Sequence, residues 1–489
     1  MKRDILNVAP RPGRGLRGAA VAGLFAAGLL LAGAAANSRA AAGIAIESPA
    51  AALARLDSLQ AMVRAEEARV RSAPGLESGW TRLARAWFQV GDHARAAKCL
   101  ERARSVGGRE FDTALLAGRV ARSEGHLAEA MEWLERAARM RPEDWEAHED
   151  LGLALYLDGQ DGGAAEQWER ARSLPHSGSP DRAGLIDVLR RAGERPYEMS
   201  GRGRERLRLV PQSTRGPLVV PVRVNGRGPF LLRVDAGSPE VVLHESLARE
   251  LGLGIVPGAH FGSPTATFGV ALDYAVVDSL TLGATTLHRL PVAVTSDPRL
   301  TGDGEPRGLL GFEALRRFRF CIDVGDSTLW LDPPSVAGTP ADSAPPEWAP
   351  AGTRVHRIPV LLRGTHLLIA TGRLNDAPPR PFLLDAGGTG VAFAGPMSTI
   401  AEAGVTLDST RVLTGTSSAG STHFIAFPIT RLCVADVCLD SLEGAYGTFP
   451  DRLEQNPNFR LAGIVSGAFL TRYRIGVDVA RREVWLVEP

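Results

Sequence analysis

Two stretches of this chain end an apolar run on a single carboxylate. PFLLRVDAGSP (229–239) places Asp235 behind three apolar residues and an arginine-valine pair, and PFLLDAGGTGV (381–391) places Asp385 directly behind a leucine pair. Small residues follow at once: Ala236, Gly237 and Ser238 in the first copy, Ala386, Gly387 and Gly388 in the second. A carboxylate at the end of a buried strand is costly unless it is paired or hydrogen-bonded. Glycine directly after it permits a tight turn that presents the side chain. Two such carboxylates, if the fold brings them together, could do acid–base chemistry without a metal. The question is which elements would bring them together.

The flanking sequence is duplicated. Asn225 precedes Asp235 by ten residues, and Asn375 precedes Asp385 by ten. SLTLGATTL (279–287) matches RLCVADVCL (431–439), and GLLGFEALRRFRFCID (308–323) matches GIVSGAFLTRYRIGVD (463–478) without a gap. Short alternating runs with an Asn-Gly turn, as in VVPVRVNGRGPFLL, read as β-hairpins. Two equivalent β lobes are expected, of ordinary domain size.

A strand ending in D-x-G, a hairpin-rich middle, then G-[LI]-[LV]-G and a final strand pair resembles the retropepsin-like aspartic protease fold, and two lobes in one chain resemble the fused, pepsin-like arrangement. The resemblance implies that Asp235 and Asp385 form a dyad across a symmetric interface, with Gly237 and Gly387 as turn glycines. Two carboxylates a few ångström apart do not both ionise easily, so they share a proton. The ionised partner activates a water and the protonated partner polarises a peptide carbonyl, which requires no cofactor.

The sequence departs from that family where D-[TS]-G becomes D-A-G in both copies. The missing hydroxyls would each contribute about 1 kcal/mol of hydrogen bonding across the interface. Ser238 follows the first turn and could orient Asp235, whereas Gly388 stands at the matching place in the second copy. Arg233 is unexpected two residues before Asp235, and Ser466 replaces the last glycine of the second G-[LI]-[LV]-G phrase. The resemblance also implies a hairpin flap over the cleft. FGSPTATFG (261–269) and LTGTSSAGSTHF (413–424) are candidates, each alternatively an ordinary surface hairpin.

Ahead of the β segments lies a repeat. Gly91, Gly125 and Gly159 recur every 34 residues, as do Ala96, Ala130 and Ala164, and Glu101, Glu135 and Glu169. A 34-residue period with glycine after the first helix of each pair resembles the tetratricopeptide repeat, whose usual role is to bind a protein or peptide. The expected fold is therefore multidomain, an α-helical solenoid followed by all-β, double-lobed barrels. Its boundaries are a signal segment at 1–40, repeats at 51–195, a linker at 196–215, lobe one at 216–334, a Pro-rich linker at 335–352 and lobe two at 353–489.

The N-terminus carries Lys2, Arg3, Arg11, Arg14 and Arg17 before an Ala/Gly/Leu-rich apolar run at 19–36. That pattern describes a secretory signal, with an uncleaved membrane anchor as the alternative. Export to the periplasm or extracellular space is expected. In that setting Cys433 and Cys438, spaced to face each other across a hairpin turn at Ala435–Asp436, suit a disulfide; two reduced thiols are the alternative. The net charge of +1 gives no pull toward nucleic acid. Zinc-protease, P-loop and serine-nucleophile motifs do not occur, and no metal site is expected. The functional expectation is an exported aspartic endopeptidase with a peptide substrate in its cleft and a protein partner on its repeats. The competing expectation is an inactive, protease-like scaffold that binds extended peptides.

Overall fold

The computed structural model describes residues 44–489 except 176, 194, 212–217, 259–271, 298–304, 335–347, 387–389, 418–419 and 457–458. The helices come first: α1 (Pro49–Ser72), α2 (Glu77–Gln89), α3 (His93–Val106), α4 (Phe111–Glu124), α5 (Leu127–Met140), α6 (Trp145–Asp158), α7 (Asp161–Ser173) and α8 (Ala183–Ala192). The helices from α2 to α7 form three antiparallel pairs, and Gly91, Gly125 and Gly159 make the turns within them at φ of 86°, 85° and 84°. Only glycine holds that left-handed conformation without strain. The repeated Ala96, Ala130 and Ala164 are fully buried, which lets paired helices approach closely. This is the tetratricopeptide-like solenoid, led by α1 and closed by α8.

The first β lobe contains β1 (Glu198–Ser200), β2 (Glu205–Arg208), β3 (Val210–Pro211), β4 (Leu218–Val224), β5 (Arg227–Val234), β6 (Val242–His244), α9 (Glu245–Glu250), β7 (Asp273–Leu282), β8 (Thr285–Thr295), β9 (Gly308–Leu310), α10 (Phe312–Leu315), β10 (Arg319–Asp323) and β11 (Thr328–Asp332). The second contains β12 (Val355–Pro359), β13 (Leu361–Arg363), β14 (Leu367–Leu374), β15 (Arg380–Asp385), β16 (Phe393–Ala394), α11 (Met397–Glu402), β17 (Val412–Ser417), β18 (Gly420–Val434), β19 (Val437–Tyr446), α12 (Asp451–Glu454), β20 (Gly463–Ser466), α13 (Gly467–Leu470), β21 (Arg474–Asp478) and β22 (Glu483–Val487).

Each lobe has its own sheet, and a third sheet joins them in the order β12-β22-β21-β10-β11-β2. At its centre Cys321 lies opposite Gly476, flanked by Phe320–Val477 and Ile322–Ile475. Cys321 and Gly476 are counterparts in the duplicated sequence, so an approximate twofold axis passes through that pair. One row of residues crosses the whole sheet: Arg206, Trp330, Cys321, Gly476, Trp485, Arg357. Arg206 stacks on Trp330 at 4.6 Å and Arg357 on Trp485 at 5.2 Å, repeating one cation–π pair on both sides of the axis.

The stretch 196–215, expected as a linker, supplies strands instead. β1 pairs with β8, β2 with β11 and β3 with β4. These sheet edges carry backbone groups that need partners, and the chain entering the lobe provides them. Most of the Pro-rich linker lies outside the described residues, but its end packs inward: Trp348 lies against Trp485 with ring centroids 5.6 Å apart.

The solenoid is not a free arm. Its first turn, Gly91, abuts Pro381 and Phe459 of lobe two; Gly125 abuts Arg482 on the β21–β22 turn; Gly159 faces Arg317 of lobe one. Phe459 packs between Phe88 and His93, Arg316 donates to the carbonyls of Leu157 and Tyr156 at 3.1 and 3.2 Å, and α8 shares a buried cluster with β7 and β8. The helical array thus spans both lobes.

A Cβ on Gly476 would overlap the Trp348 ring. Gly476→Ala is therefore expected to lower stability by roughly 1–3 kcal/mol, read as a lower midpoint in urea. Adding Trp348→Ala should recover part of that loss, giving a non-additive double-mutant cycle.

Candidate functional site

Asp235 stands one residue beyond β5. That strand runs parallel to β9, with Val234 opposite Leu310, and the Asp235 amide donates to the Leu310 carbonyl at 3.1 Å. β9 is itself flanked on its other side by β6, so the chain leaves β5, makes its turn and returns two strands away. Asp385 closes β15 in the same setting: β15 is parallel to β20, Asp385 lies opposite Ser466, and β16 lies beyond β20. Both carboxylates are almost fully enclosed, at 1% and 2% exposure. Ala236 and Ala386, the residues that follow them, belong to one apolar core that runs through both lobes.

The two hairpins that feed these strands are clipped alike. Asn225 and Asn375 take φ of 50°. The Asn225 carboxamide accepts from the Ser279 amide at 3.1 Å, and that of Asn375 accepts from the Thr430 and Arg431 amides at 3.0 and 3.1 Å. Ser279 and Arg431 are counterparts in the duplication, so one side-chain device fixes the register of both strands.

In the turn after Asp235, the Gly237 amide donates to Asp235 Oδ1 at 3.1 Å. The Ser238 hydroxyl, expected to orient the carboxylate, donates to the Glu240 carbonyl at 3.0 Å. It therefore shapes the turn. The G-L-L-G phrase packs beneath: the Phe312 and Glu313 amides donate to the Ser238 and Pro239 carbonyls, and a Cβ at Gly311 would overlap the Glu240 carbonyl. In lobe two Ser466 stands where Gly311 does. Val242 lies opposite Leu309 and Ala394 opposite the counterpart Ile464, so the path from the aspartate is two residues longer in lobe two. Gly387 and Gly388 lie outside the described residues, as does the first flap candidate, 261–269. The second flap candidate is a hairpin of β17 and β18 at the sheet edge, with Val412 and Leu413 exposed.

A cation stands beside Asp235. Arg233 shares a strand face with Asp235, and its Nη2 lies 3.5 Å from Asp235 Oδ2 with the side chain only 16% exposed. The arginine, odd in an apolar strand, was the sequence signal for this pair. Glu240 gave no signal. Burial, with the negative charge of Glu313 adding to it and Arg182 opposing, pushes the Glu240 carboxyl up to about 7. The Asp161 carboxyl, at the start of α7, is pushed up to about 6, also chiefly by burial. The turn that carries Asp235 therefore reaches back to the helical array through a carboxyl that prefers to be neutral.

Away from the aspartates, Cys433 and Cys438 are disulfide-bonded. They face each other one step from the Val434–Val437 pair that closes the two-residue turn.

Strand order, turn and buried aspartate together define an aspartic-protease-like lobe, present twice. Residues 220–314 match the family described as aspartyl protease. No curated protein matches the chain. Similar solved structures include MamA, at 17% identity over 25% of this chain and 66% of that one, TM-score 0.23. They also include MamA from Desulfovibrio magneticus RS-1, at 20% over 30% and 88%, TM-score 0.26. A third, at 17% over 29% and 74% with TM-score 0.25, is YrrB, a TPR protein with an unusual peptide-binding site.

The raised Glu240 carboxyl sets a pH dependence. The folded state holds this proton more tightly than the unfolded chain, whose ordinary value is 4.5. Its stabilising contribution is full below about 4.5 and is lost as pH rises through about 7. The size is on the order of 3 kcal/mol at most. Glu240→Gln, which mimics the neutral form, is expected to raise the thermal midpoint at pH 7.5 and flatten its fall between pH 5 and 7.5.

Proposed function

We propose that the chain is an exported aspartic endopeptidase in which Asp235 and Asp385 activate water for peptide-bond hydrolysis. The observation that carries this reading is the duplication itself: two buried aspartates follow or close equivalent strands, one in each lobe, and the alanines after them share one core. One aspartate of the pair would act as the base that activates water, and the other, protonated, would polarise the carbonyl. An extended peptide would lie in the cleft between the lobes. The repeats would offer a protein partner only the faces left free by the lobes. Residues 1–40 would serve as the export signal, or as an anchor if uncleaved, and the Cys433–Cys438 bridge fits an oxidising compartment.

A second reading rests on the same turn. Both D-A-G motifs lack the hydroxyl that would brace the interface, and Arg233 partly occupies Asp235. A scaffold that binds extended peptides without cutting them fits those two features.

One experiment separates the readings: digestion of a diverse peptide mixture between pH 3 and 8, read by mass spectrometry. The peptidase reading expects cleavage by the wild type and a loss of a hundredfold or more, on the order of a general acid–base contribution, in folded Asp235→Asn and Asp385→Asn. Retained cleavage in either variant would sink it, and a folded wild type without turnover at any pH would leave the scaffold.

A further inference from the structure

The helical array meets lobe one through a seam with more acid than free base. The array contributes Tyr156 of α6, Asp161 at the start of α7, and Asp181 and Arg182 just ahead of α8. Lobe one contributes Glu240 from the turn after Asp235, Tyr197, Tyr274 of β7, and Glu313, Arg316 and Arg317 at α10. Asp161, Glu240, Glu313 and the three tyrosines are all buried. Charge reaches across the seam in both directions: Glu313 of the lobe acts on Asp161 of the array, and Arg182 of the array acts on Glu240 of the lobe.

The arginines of the seam are already engaged. Arg316 donates to both oxygens of Glu313, from Nε at 2.7 Å and Nη2 at 2.6 Å, and Arg317 grips the same carboxylate. Arg182 lies 2.7 Å from the Glu149 carboxylate of α6. Neither Asp161 nor Glu240 has an ion-pair partner among the described residues, and both Asp161 carboxyl oxygens are enclosed with no hydrogen-bond partner. A buried carboxyl in that position is far less costly neutral than ionised. The first turn of α7 favours a charge on Asp161. Burial outweighs it and carries the group up to about 6, with Glu313 adding to the rise and Arg317 and Arg316 opposing it. The tyrosines, which burial also raises, stay neutral across the same range. α10 links the seam to the site. Its Phe312 and Glu313 amides bond the Ser238 and Pro239 carbonyls behind Asp235 on one side, and Arg316 bonds the α6 carbonyls on the other.

We infer that this seam is a pH-operated latch, in which the α7–α8 end of the array seats firmly on lobe one while Asp161 and Glu240 are protonated and loosens when they ionise. Loosening returns both carboxyls to water, where their ordinary values are 3.8 and 4.5. The seated state holds the two protons more tightly. Its advantage is therefore full below those values and is lost as pH rises through about 6 at Asp161 and about 7 at Glu240. The apolar contacts of α8 with β7 and β8 do not titrate, so the array loosens without leaving. The latch does not rest on the peptidase reading, since neither Asp235 nor Asp385 titrates in it.

Hydrogen exchange of the full chain, read by mass spectrometry from pH 5 to 8 as protection relative to the unfolded chain at each pH, tests the latch. The expected result is a fall of about tenfold or more in the protection of α7 and α8, the change that one pKa unit allows, with faster exchange there than in β10 and β21 at pH 8. Asp161→Asn with Glu240→Gln keeps the shape of the neutral carboxyls and should hold α7 and α8 at their pH 5 protection throughout. Circular dichroism checks that the variant folds, and the wild-type series decides alone if it does not. Three outcomes overturn the proposal: protection of α7 and α8 that is independent of pH, exchange there as slow as in β10 and β21, which makes the opening whole-chain unfolding, or an undiminished fall in the folded variant.

Discussion

The antiparallel pairing of β10 with β21 is the contact on which the rest depends. It makes one sheet from strands of both lobes and puts Cys321 and Gly476 on the approximate twofold axis. The penultimate strand of each lobe is thereby hydrogen-bonded to its counterpart, so the lobes cannot shift without breaking a ladder. Arg474 of lobe two adds an ion pair to Asp323 of lobe one across that junction, with its Nε 2.5 Å from the carboxylate. Tryptophan–arginine pairs extend the symmetry to both edges. Gly476 has no Cβ, and Trp348 occupies that space and seals the outer face.

The helical array acts on the same geometry from another side. The glycine turns of three repeats fall against lobe two, the β21–β22 turn and lobe one in order. A tetratricopeptide stack is regular along its axis, so evenly spaced turns can meet widely separated parts of a bilobed body. Where D-A-G removes a hydroxyl clamp at the centre, this outer bridge and the shared sheet are what hold the lobes. The two halves are nevertheless not identical at the aspartates. Lobe one has Arg233, a tight turn and Gly311 beneath it. Lobe two has a longer connection and Ser466. Pseudo-symmetric placement of the two aspartates thus coexists with unequal sequence around them, Arg233 against Leu383 and Gly311 against Ser466.

Much of this was legible in the chain. The 34-residue period, the matched Asn-to-Asp spacing and the ungapped correspondence of 308–323 with 463–478 are local or repeated signals, and each follows from backbone requirements that a single residue type meets. Glycine at a left-handed turn, asparagine at a hairpin and a cysteine pair across a two-residue turn are of that kind. The strands between 198 and 211 carry little sequence signal because they are short and polar on one face. They are strands only because the edges of β4, β8 and β11 are there to receive them. Ser238 is a related case: its position beside Asp235 in sequence does not decide which acceptor its hydroxyl meets, and that acceptor is the Glu240 carbonyl.

The sequence by itself determined the repeat, the two lobes, the aspartate at the end of each feeding strand and the residues able to close each turn, because these depend on neighbours a few positions away or on an internal copy. Only the tertiary structure decided that β2 and β12 flank a shared sheet, that the repeat turns seat on both lobes, that Arg233 faces Asp235 and that Glu240 is buried against the helical array. Those outcomes turn on burial and on contacts between segments distant in sequence, where the free energy of a charge or a strand edge is set by what packs against it.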